Sequence, residues 1–384
     1  MPCYCTNFFI DIFLIKTYFC YRFSTMIVSF FTYDQKDNIM IAFLTRRFLF
    51  LIFVLIGISM LIFGLLMTFS PERRAVAYVQ SPQQAQNIPQ IIKKYGLDQP
   101  FYIQYARWLK QTVQGNFGWS LVAAQPVWDA FCKYLPVTLE LNLYAVPLTV
   151  FLGIILGSMA GINRGKAIDH ITRIIAIIGW SLPTFLFALV LLMIFYGYMG
   201  WFGTGVISDD LHLYLLNHPE AFTRYTGLYT IDGILNLNFS ITWDAFKRLI
   251  LPIVTQVFVV IALLMRIMRS SMIEELSKDY VTTARAKGAD NQTAWYKHAR
   301  KNALIPTITV AGQLAALSME GSVAVEIVFN RHGMGWWMVS SATQLDMPVL
   351  MFMCMFMGLV FVTTNLLCDM LIAFRDPRIR LSSS

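Results

Sequence analysis

The sequence predicts an all-α integral membrane fold, with six transmembrane helices and both termini on the cytoplasmic side. Three observations carry this reading. Hydrophobic residues make up 57% of the 384 and charged residues 14%, with a mean hydropathy of +0.57, a balance that places the chain in the membrane class and excludes a soluble globular domain. Six apolar runs have about the 20 residues that a helix needs to cross a bilayer. Basic residues gather in the segments between particular runs: eight lysines and arginines fall between Arg266 and Lys301, and Arg46 and Arg47 head the first run. Such clusters mark the cytoplasmic side. The net charge of +8 is therefore read as topology beside membrane lipid, and no nucleic-acid partner is expected. Six cysteines, Cys3, Cys5, Cys20, Cys132, Cys354 and Cys368, show no CxxC pair or regular spacing, so no disulfide framework, metal site or cofactor is expected.

In chain order, residues 1–39 hold apolar runs interrupted by Asp11, Lys16, Arg22 and Asp34, too short to span. They read as an extension upstream of a natural start at Met40, or as an interfacial segment lying along the membrane. The first span is Phe43–Phe69. Residues 70–133 form an external region with helical periodicity at Ile88–Tyr95 and Phe101–Val113. The second span, Val137–Ile162, carries Gly153, Gly157 and Gly161 on one face, where a helix can approach closely, within the chain or from another subunit. Glu140 and Asn142 are placed near its outer end, within reach of water. The third span, Ile174–Met199, contains Gly179 and Pro183, positioned to bend it. Pro183 is a candidate for the translocation path, against plain packing accommodation. Residues 201–247 are a second external loop, in which His212 and His218 read as solvated. The fourth span is Leu249–Ile267, the fifth Pro306–Phe329 and the sixth Met347–Phe374. Glu320 and Glu326 lie within the fifth. A carboxylate there is costly and should face a cavity or a partner, so both are candidates for the translocation path, against a structural hydrogen bond to a neighbouring helix. GINRGKA at Gly161–Ala167 lacks the spacing and hydroxyl of a phosphate loop, so no nucleotide site and no catalytic residue is expected in this chain.

Residues 270–306 form the long polar loop between spans four and five. Leu276, Tyr280, Val281 and Ala284 recur at helical spacing, predicting a helix over Ser277–Lys287 that Gly288 stops. Asp290 caps a second short helix, with Ala294, Trp295 and His298 near one face, and Pro306 ends it. Two short helices joined by a glycine bend make a rigid knob.

The string YVTTARAKG at Tyr280–Gly288, followed by KHARKNALIP at Lys297–Pro306, resembles the cytoplasmic coupling loop of ABC importer permeases of the oligopeptide/dipeptide class. The resemblance extends from IAFLTRRFLFLIF after Met40, through KKYGLDQPFYIQYARWLKQTVQGNFGWSL in the first external region and GSVAVEIVFNRHGMGWWMVSSA, to RDPRIR at Arg375–Arg380. It departs from the family where His332 stands in place of a common proline. It implies that residues 40–384 are a permease domain, half of a translocation pathway that pairs with a second homologous permease subunit, two ATP-binding cassette subunits and an extracytoplasmic solute-binding protein. ATP hydrolysis would belong to the partner. Tyr280, Ala284 and Trp295 would be apolar contacts in the ATPase groove, Arg285 and Lys287 polar ones, Gly288 the bend, and Asn302 part of the same motif. Peptides are the default cargo in the plasma membrane of a bacterium or archaeon. Members of the class also carry oligosaccharides, nickel chelates and opines. A passive channel would have no use for the knob.

Overall fold

The computed structural model describes residues 39–76, 78, 87–319 and 322–375. The predicted extension, the tail after Arg375 and Glu320 lie outside the described residues. Two compact units are distinguished. One comprises residues 1–50 and 370–384, whose described part is the beginning of the first helix and the end of the last. The other, Leu51–Asp369, holds the packing that follows.

Helices dominate. α1 covers Ile39–Leu66, α2 Pro71–Val76, α3 Ile88–Tyr95 and α4 Phe101–Val113. A two-residue hairpin, β1 (Trp119–Ser120) against β2 (Gln125–Pro126), leads into α5, Val127–Ile162. α6 (Ala167–Ser181) and α7 (Thr184–Leu191, extended by a wider turn to Tyr198) follow. α8 (Asp209–Asn217) and α9 (Tyr229–Leu235) precede α10, Phe239–Leu276. Then come α11 (Asp279–Ala286), a wide-turn segment Thr293–Ala299 running directly into α12 (Arg300–Met319), α13 (Val323–Val328), α14 (Met334–Thr343) and α15 (Met347–Arg375). Among the described residues five helices are long and apolar enough to cross a membrane, or six if α6 and α7 count as one broken span.

The centre of the bundle is the contact of α5 with α10, the most extensive in the chain. The glycine face of α5 makes it possible. A Cβ on Gly157 would lie 2.7 Å from Met268 Cβ and 2.9 Å from the Met265 carbonyl, and one on Gly153 or Gly161 would meet Leu264 or Met272. The glycine stripe therefore packs within the chain. Pro136 and Pro147 lie inside α5 and Pro252 inside α10, tolerated where neighbouring helices re-satisfy the freed backbone groups.

Outside this bundle, α4 lies along the end of α1. Phe63 meets Phe101 and Tyr105 edge-on, at 5.7 and 5.6 Å between ring centres, and Ser59 Oγ and Tyr105 Oη share a 2.9 Å hydrogen bond. Tyr105 and Trp108, four and seven residues after Phe101, follow the helical repeat of the predicted α4.

Three expectations change. The third span is not one bent helix but two, α6 and α7, turned by 101° at a break before Thr184. Pro183 precedes α7 with extended ψ, and Gly179 allows the Phe258 carbonyl to within 2.8 Å of a Cβ position. Pro306 does not end a short helix. It sits inside α12, and helix runs from Thr293 through Met319, because a proline among packed membrane helices loses one backbone bond without having to break the helix. The described part of α12 runs to Met319, and Glu326, placed in the predicted fifth span, belongs to the separate α13.

Candidate functional site

The knob is built on small apolar residues. Val281, Ala294, Ala299 and Ala303 are buried together with Met268 and Met272 of α10, and Tyr280, Trp295 and Leu304 pack around them. Alanine at these positions lets α11 and the Thr293–Ala299 turn sit directly on α10, while methionine fills the irregular gaps. Gly288 has φ +89°, a conformation that disfavours any side chain, and nothing lies within 4 Å of its Cβ position. Its backbone requirement is therefore conformational, closing α11 with its N–H donated to Arg285 O at 2.9 Å.

The predicted coupling residues divide into two groups. Arg285, Lys287 and Gly288 are exposed, with Ala284 half-buried beside them. Tyr280 and Trp295 are half-buried against the knob's core, while Asn302 is exposed and reaches Tyr280 only through its polar end. Tyr280 packs on its core and donates its hydroxyl to Glu275 Oε2 at 2.6 Å. Burial and that carboxylate push the Tyr280 phenol up to about 12, and Asn302 shares the bond. Lys278 holds Glu275 from the other side at 2.6 Å. Tyr280 and Asn302 thus fix how α11 leaves α10. Asp290 caps the next segment through the Thr293 N–H at 3.3 Å, and the Thr293 hydroxyl holds its carboxyl below the ordinary range. Nearby, buried Asp169 of α6 accepts from Arg269 Nε at 2.6 Å and Nη2 at 3.0 Å, and from the Gly165 N–H at 2.9 Å, tying α6 to α10 beside the knob.

The opposite end carries buried charge. Glu140 is 1% exposed and Arg331 0%. Arg331 Nη2 donates to Glu140 Oε2 at 3.0 Å, and Thr230 donates to Glu140 Oε1 through its N–H at 2.7 Å and its hydroxyl at 2.9 Å. Glu326, also buried, accepts from Thr138 Oγ1 at 2.7 Å and from the Trp336 N–H at 2.9 Å. Thr138 in turn accepts from the Met334 N–H at 2.8 Å. This network joins α5, α9, α13 and the start of α14. Glu140 consequently does not reach water as expected; its charge is balanced by a guanidinium 191 residues away. Glu326 is engaged in structural hydrogen bonds.

Between the ends, Asn142, also buried rather than wet, donates to Ser318 O at 2.6 Å and accepts from Gln256 Nε2 at 2.8 Å. Gln256 Oε1 is buried without a partner among the described residues. It borders a cavity of about 10 Å³ with Thr149 and Ser318, room for about one water. Sequence reasoning missed Arg331 and Gln256. Arg331 had one available signal, a lone cation between two apolar helical segments.

The knob, the glycine-packed bundle and the charge-locked end lie within a recognisable sequence pattern. A profile of the binding-protein-dependent transport system inner membrane component family matches residues 153–381, and the profile of that family's N-terminal region matches residues 40–142. A dipeptide transport system permease protein of Alkalihalophilus pseudofirmus is 32% identical over 343 residues, covering 89% of this chain and 100% of the relative. A probable D,D-dipeptide transport system permease protein of Escherichia coli is 37% identical over 76% of this chain and 84% of its own length. An oligopeptide transport system permease protein of Bacillus subtilis is 35% identical over 88% of this chain and 99% of its own. The chain belongs to the binding-protein-dependent transport system inner membrane components.

Proposed function

We propose that the chain is the permease subunit of an ATP-driven importer of di- or oligopeptides, crossing the plasma membrane six times with both termini in the cytoplasm. In this reading residues 40–384 are the permease domain, residues 70–133 and 201–247 face outward, and residues 270–306 couple it to an ATPase. The partners are a second homologous permease, two ATP-binding cassette subunits and an extracytoplasmic solute-binding protein. The observation that carries the reading is the knob: an apolar Ala/Met core continuous with α10 and α12, with Arg285 and Lys287 left exposed on α11 and at its end. Free cations on a rigid base suit a partner surface, since the base transmits movement and the cations set register. ATP-driven closure of the partner would tilt the knob, and the helices rooted in it would shift the opening from one side to the other. The peptide cargo is supported by the names of the relatives.

Affinity purification from native membranes tests the reading. Wild type should recover an ATP-binding subunit and a second permease. Arg285→Glu with Lys287→Glu should lose the ATP-binding subunit while keeping the second permease. Recovery of no ATP-binding protein by wild type would overturn it.

A further inference from the structure

A cavity of about 300 Å³ lies where the end of α1, the α2 and α3 turns, α4 and the start of α15 meet. None of the coupling or buried-charge residues described above lines it. Its polar wall contains two guanidinium groups, Arg74 and Arg107, with Gln104, Gln111 and Asn116, and among the described residues no aspartate or glutamate. Glu72, close enough to act on Arg74, is exposed and outside the lining. Arg74 is held rigidly, donating to Leu97 O at 2.9 Å, Gln104 Oε1 at 2.8 Å and Phe69 O at 3.2 Å. Arg107 donates from Nη1 to Tyr95 O at 2.7 Å and from Nη2 to Gln99 Oε1 at 3.0 Å. Each of these nitrogens carries two hydrogens, so a second donor remains on both. Neutral acceptors position the two cations, and no lining carboxylate neutralises them. Whatever fills the space gains by bringing negative charge.

The remaining wall is apolar: Phe63, Leu66, Trp108, Phe117 and Met351. Its position fixes the kind of ligand. Phe63 and Leu66 end Leu49–Leu66, a helix long and apolar enough to cross a membrane, which in a bilayer would put the cavity where hydrocarbon gives way to headgroups. Leu61, Leu65, Tyr102 and Ile103 are exposed on the adjoining faces of α1 and α4, a belt of apolar and aromatic side chains suited to that boundary. We propose that this cavity binds an anionic phospholipid, its phosphate against Arg74 and Arg107 and the beginning of its acyl chains along Phe63 and Leu66. Basic pockets between membrane helices take lipid headgroups by this chemistry. The lipid would brace α4 against α1 where the helix contacts are chiefly aromatic.

The test uses the intact transporter complex, extracted from vesicles of equal parts phosphatidylglycerol and phosphatidylcholine, with retained lipids counted by native mass spectrometry. Wild type should retain phosphatidylglycerol in preference to phosphatidylcholine. Arg107→Gln should lower that preference by about fivefold, the worth of one cation near a lipid surface, and Arg107→Lys should keep most of it. Gln111→Glu, which keeps the side chain's shape and adds a negative charge, should lower it as well, so the outcome does not depend on removing an arginine. Excess inorganic phosphate should leave the lipid in place. Equal retention of the two lipids by wild type would overturn the proposal. So would a preference unchanged in both Arg107→Gln and Gln111→Glu. Displacement of the lipid by phosphate would assign the site to a soluble anion and overturn it equally.

Discussion

In one half of α5, Glu140 and Arg331 pair at 3.0 Å with almost no exposure. At the opposite end of the bundle, on α11 and at its close, Arg285 and Lys287 stand exposed over buried alanines and methionines. The first arrangement is specific and unforgiving, because a buried ion survives only while its counter-ion and hydrogen bonds remain. The second is held by close apolar contact and leaves its charges free. Buried charge here joins the segments of one chain. Exposed charge, in the proposed coupling, serves what lies outside it.

The sharpest way to break this contrast is at the buried end. Glu140→Leu leaves Arg331 unpaired and should destabilise the chain by about 3–5 kcal/mol. Combining it with Arg331→Met should recover most of that loss. Thermal unfolding in detergent reads both, and a double variant no better than the single one would show that the pair is not the lock. Next in size is the α5–α10 seam. Gly157→Leu drives a side chain into Met268 and the Met265 carbonyl and should cost about 1–3 kcal/mol by overpacking. A melting temperature equal to wild type would place the glycine face elsewhere. Smaller and local is Gly288→Val, which forces a branched side chain to φ +89° in open space, at about 1–2 kcal/mol. Hydrogen exchange should quicken across residues 279–299 while the melting temperature of the bundle stays put; a lowered bundle melting temperature would contradict the knob's local character.

The smallest effect is a titration near the buried charge. Burial, with a contribution from Lys133, holds the His332 imidazole below its ordinary value of 6.5. A base whose folded pKa is depressed contributes stability that is present above 6.5 and is lost as pH falls through the lower, folded-state value. His332 meets Trp336 edge-on at 4.4 Å, so the change in Trp336 emission, read against Trp336→Phe, should have its midpoint below 6.5. A midpoint above that value would mean an acidic neighbour dominates instead.

Local chemistry was the legible part. α3 and α4 fall at Ile88–Tyr95 and Phe101–Val113, the bounds their periodicity predicts, because Gly96 at φ +62° and Pro100 punctuate them. The stop at Gly288 was readable for the same reason. Pro306 misled because proline breaks helices in water more readily than among packed membrane helices. The Glu140–Arg331 pair was hidden by its separation in sequence: nothing near Glu140 announces a cation, and a carboxylate without a visible partner is naturally assigned to water. Tyr280 illustrates a subtler limit. Its spacing marks a helix face, but only the fold shows that its hydroxyl is committed to Glu275.

The absence of a stop at Pro306 turns the Thr293–Met319 segment into a lever arm. Its 27 residues extend about 40 Å at 1.5 Å per residue. A rigid tilt of about 5° at the knob carries the far tip sideways by about 3.5 Å over that length. That is comparable to the width of a side chain, and it arrives beside Ser318, where Asn142 and Gln256 meet. In the proposed coupling, a hinge at residue 306, halfway along the segment, would dissipate the stroke, and an unbroken rod would deliver it to the middle of the bundle.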